Sequence, residues 1–441
     1  MNIPRDLYLN RLMSSRHDGF VKIVTGIRRC GKSHLLFRLF RERLIEEGVK
    51  PADIVMAALD DDDMSALRNP ILLGDWIRRR LRGRRHGWKY VFIDEIQMVR
   101  KTLPADADLS KIAPDDRESA YVTFYDVLNG LLKIPETDIY VTGSNSRMLS
   151  SDIATNFRDR GEEIRLHPLS FSEYLAASGL EKAEAWEQYL IYGGMPGAVL
   201  SENPERKRDY LSQLSKKVYF KDIIERHALR HDRLLETVTD TLFSSVGSLT
   251  NPTKIANTAT SSGMTPVSQP TVKKYIDILE DAFLVNKADR YDVKGRRYLE
   301  YPSKYYAEDV GPRNARLNFR QIEETHLMEN VVYNELTARG LSVDVGFVEE
   351  TTSAGGKRTK RQREIDFVVN DGPRRAYVQS AFAVPDEEKR RQETAPLRAS
   401  GDFFRKLVVT SGFRPPLADD DGIVHVGVIP FLLDPSILFG G

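Results

Sequence analysis

Only one of the 441 residues is cysteine, Cys30. An intramolecular disulfide is therefore excluded, and the composition points to a reducing compartment. Long hydrophobic runs are missing as well. No stretch of about 18 apolar residues appears, which excludes a membrane-spanning helix of the usual kind. The first residues, Met1-Asn-Ile-Pro-Arg-Asp, lack the basic and apolar segments of a secretory signal. Neither sign of charge dominates: 65 basic against 64 acidic side chains leave +1, so overall charge favours no partner class. No internal repeat or low-complexity tract is present. The chain reads as a cytoplasmic protein with no membrane partner, long enough for two or three domains that each bury a core.

The apolar pattern is that of an α/β protein. Short apolar runs over Lys22–Thr25, Asp53–Leu59, Tyr90–Ile93 and Asp138–Thr142 alternate with helical periodicity such as Ser33–Glu46, which predicts a parallel sheet. A Pro/Asp-rich stretch, residues 103–118, reads as a surface insertion. Residues 170–231 are mostly helical in pattern. Helices over Thr253–Ser261 and Thr271–Phe283 are then followed by strand-like Leu284–Asp289 and Lys304–Ala307, the plan of a winged helix. From about His326 a second α/β unit begins. The expected division is 1–168 for the core, 169–235 for a helical segment, 236–312 for a winged-helix-like domain and 313–441 for the tail.

Gly26-Ile27-Arg28-Arg29-Cys30-Gly31-Lys32-Ser33 fits G-x-x-x-x-G-K-[ST] between an apolar strand and a helix. Glycines let the backbone wrap phosphates, while amide groups and the helix N-terminus, through His34, supply positive charge. Lys32 is suited to the β- and γ-phosphates and Ser33 to Mg²⁺, so ATP and Mg²⁺ are the implied cofactors. Cys30 is a small filler here. A second strand, Tyr90-Val-Phe-Ile-Asp94-Glu95, ends in two carboxylates: Asp94 suits the metal, and Glu95 suits a general base. Asn145 or Ser144, after the strand ending at Thr142, suits the γ-phosphate and the attacking water. Arg160 or Arg158 is a candidate for neutralising the transferred phosphoryl group, from this subunit or a neighbour.

Taken together, the P-loop, Ile93–Gln97, Val141–Ser146, Pro168–Glu173 and Tyr219–Glu225 resemble a family of prokaryotic AAA-type ATPases. Its members carry a winged-helix segment and a C-terminal restriction-endonuclease-like domain. The resemblance runs from about Arg5 to Leu433. It implies an AAA-type P-loop core and homo-oligomeric assembly, a ring such as a hexamer included. In nuclease-like domains of this kind a helix acid, a strand aspartate and a following E-x-K hold Mg²⁺ and activate water. Glu329 and Asp366 match the first two, but Gln379-Ser-Ala381 stands where E-x-K belongs. The resemblance therefore implies a degenerate nuclease site, with Glu364 and Glu335 nearby as possible substitutes.

Nucleic acid, DNA included, is the partner class that local basic clusters favour. Arg78–Arg85 is one cluster, although a solvated helical face explains it equally well. Lys357–Arg363 is a second, expected in a loop before Asp366, and the winged-helix segment adds Lys273, Lys274, Arg296 and Arg297. Asp60–Asp63 reads as a solvated cap. The first reading is thus an Mg²⁺-dependent ATPase acting on nucleic acid. The alternatives are an ATP-gated scaffold whose nuclease-like domain docks a partner, and a metal-dependent nuclease.

Overall fold

The structure is a computed structural model that describes residues 3–82, 87–144, 160–229, 232–354 and 357–440. The chain packs as two compact units, Asn2–Leu166 and His167–Gly441.

In the first unit five strands, β1 (Val21–Thr25), β2 (Ile54–Ala58), β3 (Lys89–Asp94), β4 (Thr137–Thr142) and β5 (Gly161–Arg165), form a sheet in the order β2-β3-β4-β1-β5. Every pairing is parallel. β1, β3 and β4 are buried at every residue, because helices cover both faces of such a sheet. One face is aliphatic: Val21, Ile23, Val91, Ile93, Ile139 and Val141 pack with Leu73, Ile77, Val127 and Leu131 from helices Pro70–Leu81 and Phe124–Leu131. The other face is aromatic, with Phe40, Phe92 and Tyr140 at centroid distances of 4.8–5.6 Å. Side chains alternate across a strand, so adjacent residues such as Phe92 and Ile93 serve opposite faces. This is the α/β P-loop fold expected from the sequence.

The apolar pattern did not reveal β5. It reads Gly-Glu-Glu-Ile-Arg with only Ile164 fully buried, and a charged edge strand carries little apolar signal. Residues 103–118 contain short 3₁₀ turns, Leu109–Lys111 and part of Pro114–Ala120, and their flanks are tied by reciprocal Thr102–Val122 amide–carbonyl bonds of 2.9 Å.

The second unit begins with helices from Phe171–Ser178 to Tyr219–His227. Helices Asp232–Ser244, Pro252–Ser261 and Gln269–Asp281 come next. They lead into the ribbon β6 (Val285–Asp292) and β7 (Arg297–Ala307). Beyond helix Glu324–Ala338 come β8 (Ser342–Ala354), β9 (Lys357–Asp371), β10 (Arg374–Ser380), helix Glu387–Ala399, β11 (Arg405–Thr410), β12 (Leu417–Ala418) and β13 (Val424–Gly427). The ribbon is not separate from the tail. β6 pairs in parallel with β8, Arg290 opposite Val345, making one eight-stranded sheet in the order β12-β13-β11-β10-β9-β8-β6-β7. The basic run Lys357–Arg363 is strand rather than the expected loop, because β9 pairs with β8 from Lys357 opposite Ala354 onward.

Candidate functional site

β1 leads directly into the glycine loop. Gly26 has φ +137°, and a Cβ there would lie 2.1 Å from the Leu166 carbonyl oxygen, so only glycine fits. Arg29 and Gly31 also take positive φ, 68° and 105°, which turns the loop back on itself. Helical structure starts at Lys32, and no side chain caps it, so its first amide groups present partial positive charge to an anion. Ile27 and Cys30 are buried and anchor the loop, Cys30 with its sulfur 3.5 Å from the Leu166 carbonyl. Arg28, Arg29, Ser33 and His34 are exposed. Partial burial, and then Arg38, lowers the pKa of His34. Lys32 is only 4% exposed, and its ammonium donates to the carbonyls of Gly26 (2.9 Å) and Ile27 (3.1 Å).

Strand order brings the second half of the site to this loop. β4 lies between β1 and β3, so its tip reaches both the glycine loop and the carboxylates. The Thr142 hydroxyl donates to Asp94 Oδ1 and accepts the Glu95 amide at 2.9 Å. Asp94 is 3% exposed, whereas Glu95 is half-buried. Glu95 has φ +51°, a left-handed conformation uncommon outside glycine, asparagine and aspartate. That bend turns the chain sharply at the strand end.

Two residues near the site escaped the sequence reading. Gln97 donates from its amide to Glu95 Oε2, and to Ser144 Oγ at 3.3 Å, bridging the two strand tips. Its only sequence signal was its place in the Ile93–Gln97 motif. Arg165, the last residue of β5, stands opposite Thr25 at the root of the glycine loop, and it was hidden because β5 itself was. Asn145, the predicted water-orienting residue, and Arg158 lie outside the described residues. Arg160 sits at the other end of the sheet, where its carbonyl accepts the Val21 amide at 2.9 Å. The length of β1 puts it roughly 13–17 Å from the glycine loop. Within one subunit the structure does not bring Arg160 together with Lys32, Ser33, Asp94 and Glu95.

In the second unit, Glu329 and Asp366 do meet, around a lysine that sequence reasoning did not connect to them. The Lys304 ammonium, on β7, lies 2.9 Å from Glu329 Oε1, 3.3 Å from Asp366 Oδ1 and 2.8 Å from Glu364 Oε1. Burial opposes the charge on Lys304, but the three acids hold its pKa well above the ordinary value. Burial pushes the Glu329 pKa up to about 7 against the pull of Lys304. Gln379 accepts the Asp366 amide at 3.4 Å and donates to Glu393 at 3.3 Å. Glu335 is instead paired with Arg339 at 2.9 Å.

Comparison with known proteins identifies the domain that holds the first site. An AAA domain family matches residues 18–175, and a domain of unknown function matches residues 183–323. An uncharacterized protein of Haemophilus influenzae is 31% identical over 98% of both chains. This chain belongs to the same family as that protein, and its residues 18–175 form an AAA-type domain. An uncharacterized protein of Methanocaldococcus jannaschii is 25% identical to this chain, over 93% of this chain and 87% of its own. Among solved structures, the Walker-type ATPase of Pyrococcus abyssi is 14% identical, covering 72% of this chain and 96% of its own at a TM-score of 0.47. The Aeropyrum pernix ORC2 protein is 15% identical over 74% and 92% of the two chains, with a TM-score of 0.37. No helix among the described residues is long and apolar enough to cross a membrane.

Proposed function

We propose that this protein hydrolyses ATP with Mg²⁺ and couples the cycle to a conformational change that acts on nucleic acid. The contact of Thr142 with Asp94 and the Glu95 amide carries this reading, because it ties the carboxylate pair to the strand beside the glycine loop. In the proposed cycle, phosphate oxygens replace the carbonyls that hold Lys32, and the loop and first helical amides receive the remaining phosphate charge. The exposed Ser33 hydroxyl and the Asp94 carboxylate would hold Mg²⁺, an oxygen-preferring cation. Bound Mg²⁺ supplies charge neutralisation at the phosphate oxygens. Glu95 takes a proton from the attacking water as general base, while Gln97 limits where its carboxylate points. In this reading a homo-oligomer, a ring such as a hexamer among the forms, brings Arg160 from a neighbouring subunit to the phosphates.

A groove in the second unit supports a polyanionic partner. Arg361, Arg363, Arg391 and Arg398, against Glu350 and Glu388, line a cavity of about 630 Å³ between β9 and helix Glu387–Ala399. Guanidinium groups suit backbone phosphates, which here would compete with the acids that Arg363 and Arg398 pair with, Glu350 and Asp421, each at 2.6 Å. The ribbon and helices before it are read as a winged helix, and the tail as a nuclease-like domain without cleavage activity.

The deciding experiment is steady-state ATP hydrolysis by wild type and Glu95→Gln, with nucleotide binding measured in parallel and duplex DNA titrated in. Retained binding with stalled turnover is expected, and DNA should stimulate the wild type. Unchanged hydrolysis in Glu95→Gln would remove Glu95 as the base. Absence of DNA binding at low salt would favour a scaffold that docks a protein.

A further inference from the structure

We infer that Lys304 is the resident cation of the tail's carboxylate cluster, which makes the cluster a closed ionic rivet with no place for a divalent metal. The resemblance to nuclease-like domains implies Mg²⁺ at Glu329 and Asp366, and the residues present do not fit it. The Lys304 side chain is 3% exposed, and its ammonium lies within 3.3 Å of three different carboxylates, Glu329, Glu364 and Asp366. An ammonium has no further donor to offer.

The acids are committed too. Glu329 Oε1 also accepts the Tyr306 hydroxyl at 2.7 Å, and the second oxygen of Asp366 accepts the Ser380 amide at 2.9 Å. A magnesium ion needs close, near-octahedral oxygen ligands. Here it would have to displace those donors and approach a buried ammonium of like charge. Among the described residues, no group of three or more His, Cys, Asp or Glu is placed to hold a metal ion. The positions expected to supply a further acid and a catalytic lysine do neither. Gln379 bridges Asp366 and Glu393, and Ala381 packs in an apolar cluster with Ile365 and Leu397.

Instead, the positive charge arrives from the ribbon. Lys304 lies on β7, Glu329 on helix Glu324–Ala338, and Glu364 and Asp366 on β9. One ammonium thus joins three elements. Neutral bonds continue the seam: the Asn330 side chain accepts the Ala307 amide at 2.9 Å and donates to the Ala307 carbonyl at 2.8 Å. The ribbon is therefore fastened to the tail by polar contacts as well as by strand pairing.

The test uses the full chain without nucleotide and Mn²⁺ as the probe, with bound ion counted by electron paramagnetic resonance. Wild type, Asp366→Asn and Glu329→Gln are expected to bind the same amount. Manganese bound by wild type and lost in either variant would overturn the proposal. Thermal melting tests the rivet. Lys304→Met is expected to lower the midpoint by roughly 5–10 °C, with a smaller loss for Lys304→Arg, which keeps the charge. Equal losses in the two variants, or a Lys304→Met protein that melts like wild type, would overturn it.

Discussion

At the tip of β3, Asp94 is 3% exposed and its bonded neighbour is the neutral hydroxyl of Thr142. In the tail, Glu329 and Asp366 are 7% and 6% exposed, yet their neighbour is the ammonium of Lys304. Both are buried acidic sites, the first at the ends of β3 and β4, the second between the interior of β9 and helix Glu324–Ala338. A hydroxyl orients a carboxylate without adding a positive charge, which suits the cation proposed for the first site. An ammonium compensates the charge on the spot. Buried charge must be paired, and the two units meet that demand with different partners. In the proposed function the first is completed by a cation that arrives with nucleotide; the second carries its own.

The contrast breaks most visibly at Asp94. Asp94→Asn should reduce Mg²⁺-dependent ATP hydrolysis by about 10²-fold or more, since an amide cannot supply the missing charge; turnover within a few-fold of wild type would remove Asp94 from the metal site. Thr142→Val probes the orienting hydroxyl alone. Losing a donor to a buried carboxylate and an acceptor for the Glu95 amide costs about 1–3 kcal/mol of stability, so the melting temperature should fall by a few degrees. Turnover should fall roughly tenfold as the carboxylate loses its orientation. A large fall in melting temperature with intact turnover would make Thr142 structural.

The smallest effect concerns a third acid, with neither a hydroxyl nor an ammonium bonded to it. Glu280, on helix Gln269–Asp281, is raised to about 7, first by burial and then by Asp277, with Asp281 and Asp289 adding to it. The folded state therefore holds this proton more tightly than the unfolded chain. Its stabilising contribution is complete below about pH 4.5 and is lost as pH rises through about 7. Glu280→Gln mimics the protonated form at every pH. Its melting curve should coincide with that of wild type near pH 4.5 and lie a few degrees higher at pH 8. A gap independent of pH would sink the assignment.

Where the sequence was legible, the chemistry was local. Gly26–Ser33 must follow a strand and open a helix to work, and all three features are contiguous. Asp94 and Glu95 were legible for the same reason, because an apolar run ended in two acids. β5 was not legible, since an edge strand needs no continuous apolar pattern, and Arg165 was lost with it. Arg160 was attractive only by its closeness to the strand ending at Thr142. The fold carries the chain to the far end of β1 before β5 begins. Lys304 and Glu329 are 25 residues apart and Lys304 and Asp366 are 62 apart, with no motif linking them.

By itself, the sequence determined the glycine loop, the parallel α/β core and the absence of an acid at Gln379 and of a lysine at Ala381. Each follows from the character of residues within a few positions of one another, which governs backbone freedom, side-chain alternation and charge. Only the tertiary structure decided that β4 would stand between β1 and β3, that the ribbon would join the tail sheet, and that Lys304 would fill the acidic cluster. Those outcomes depend on which distant segments share a buried space, where every charge must find a partner and every backbone group a bond.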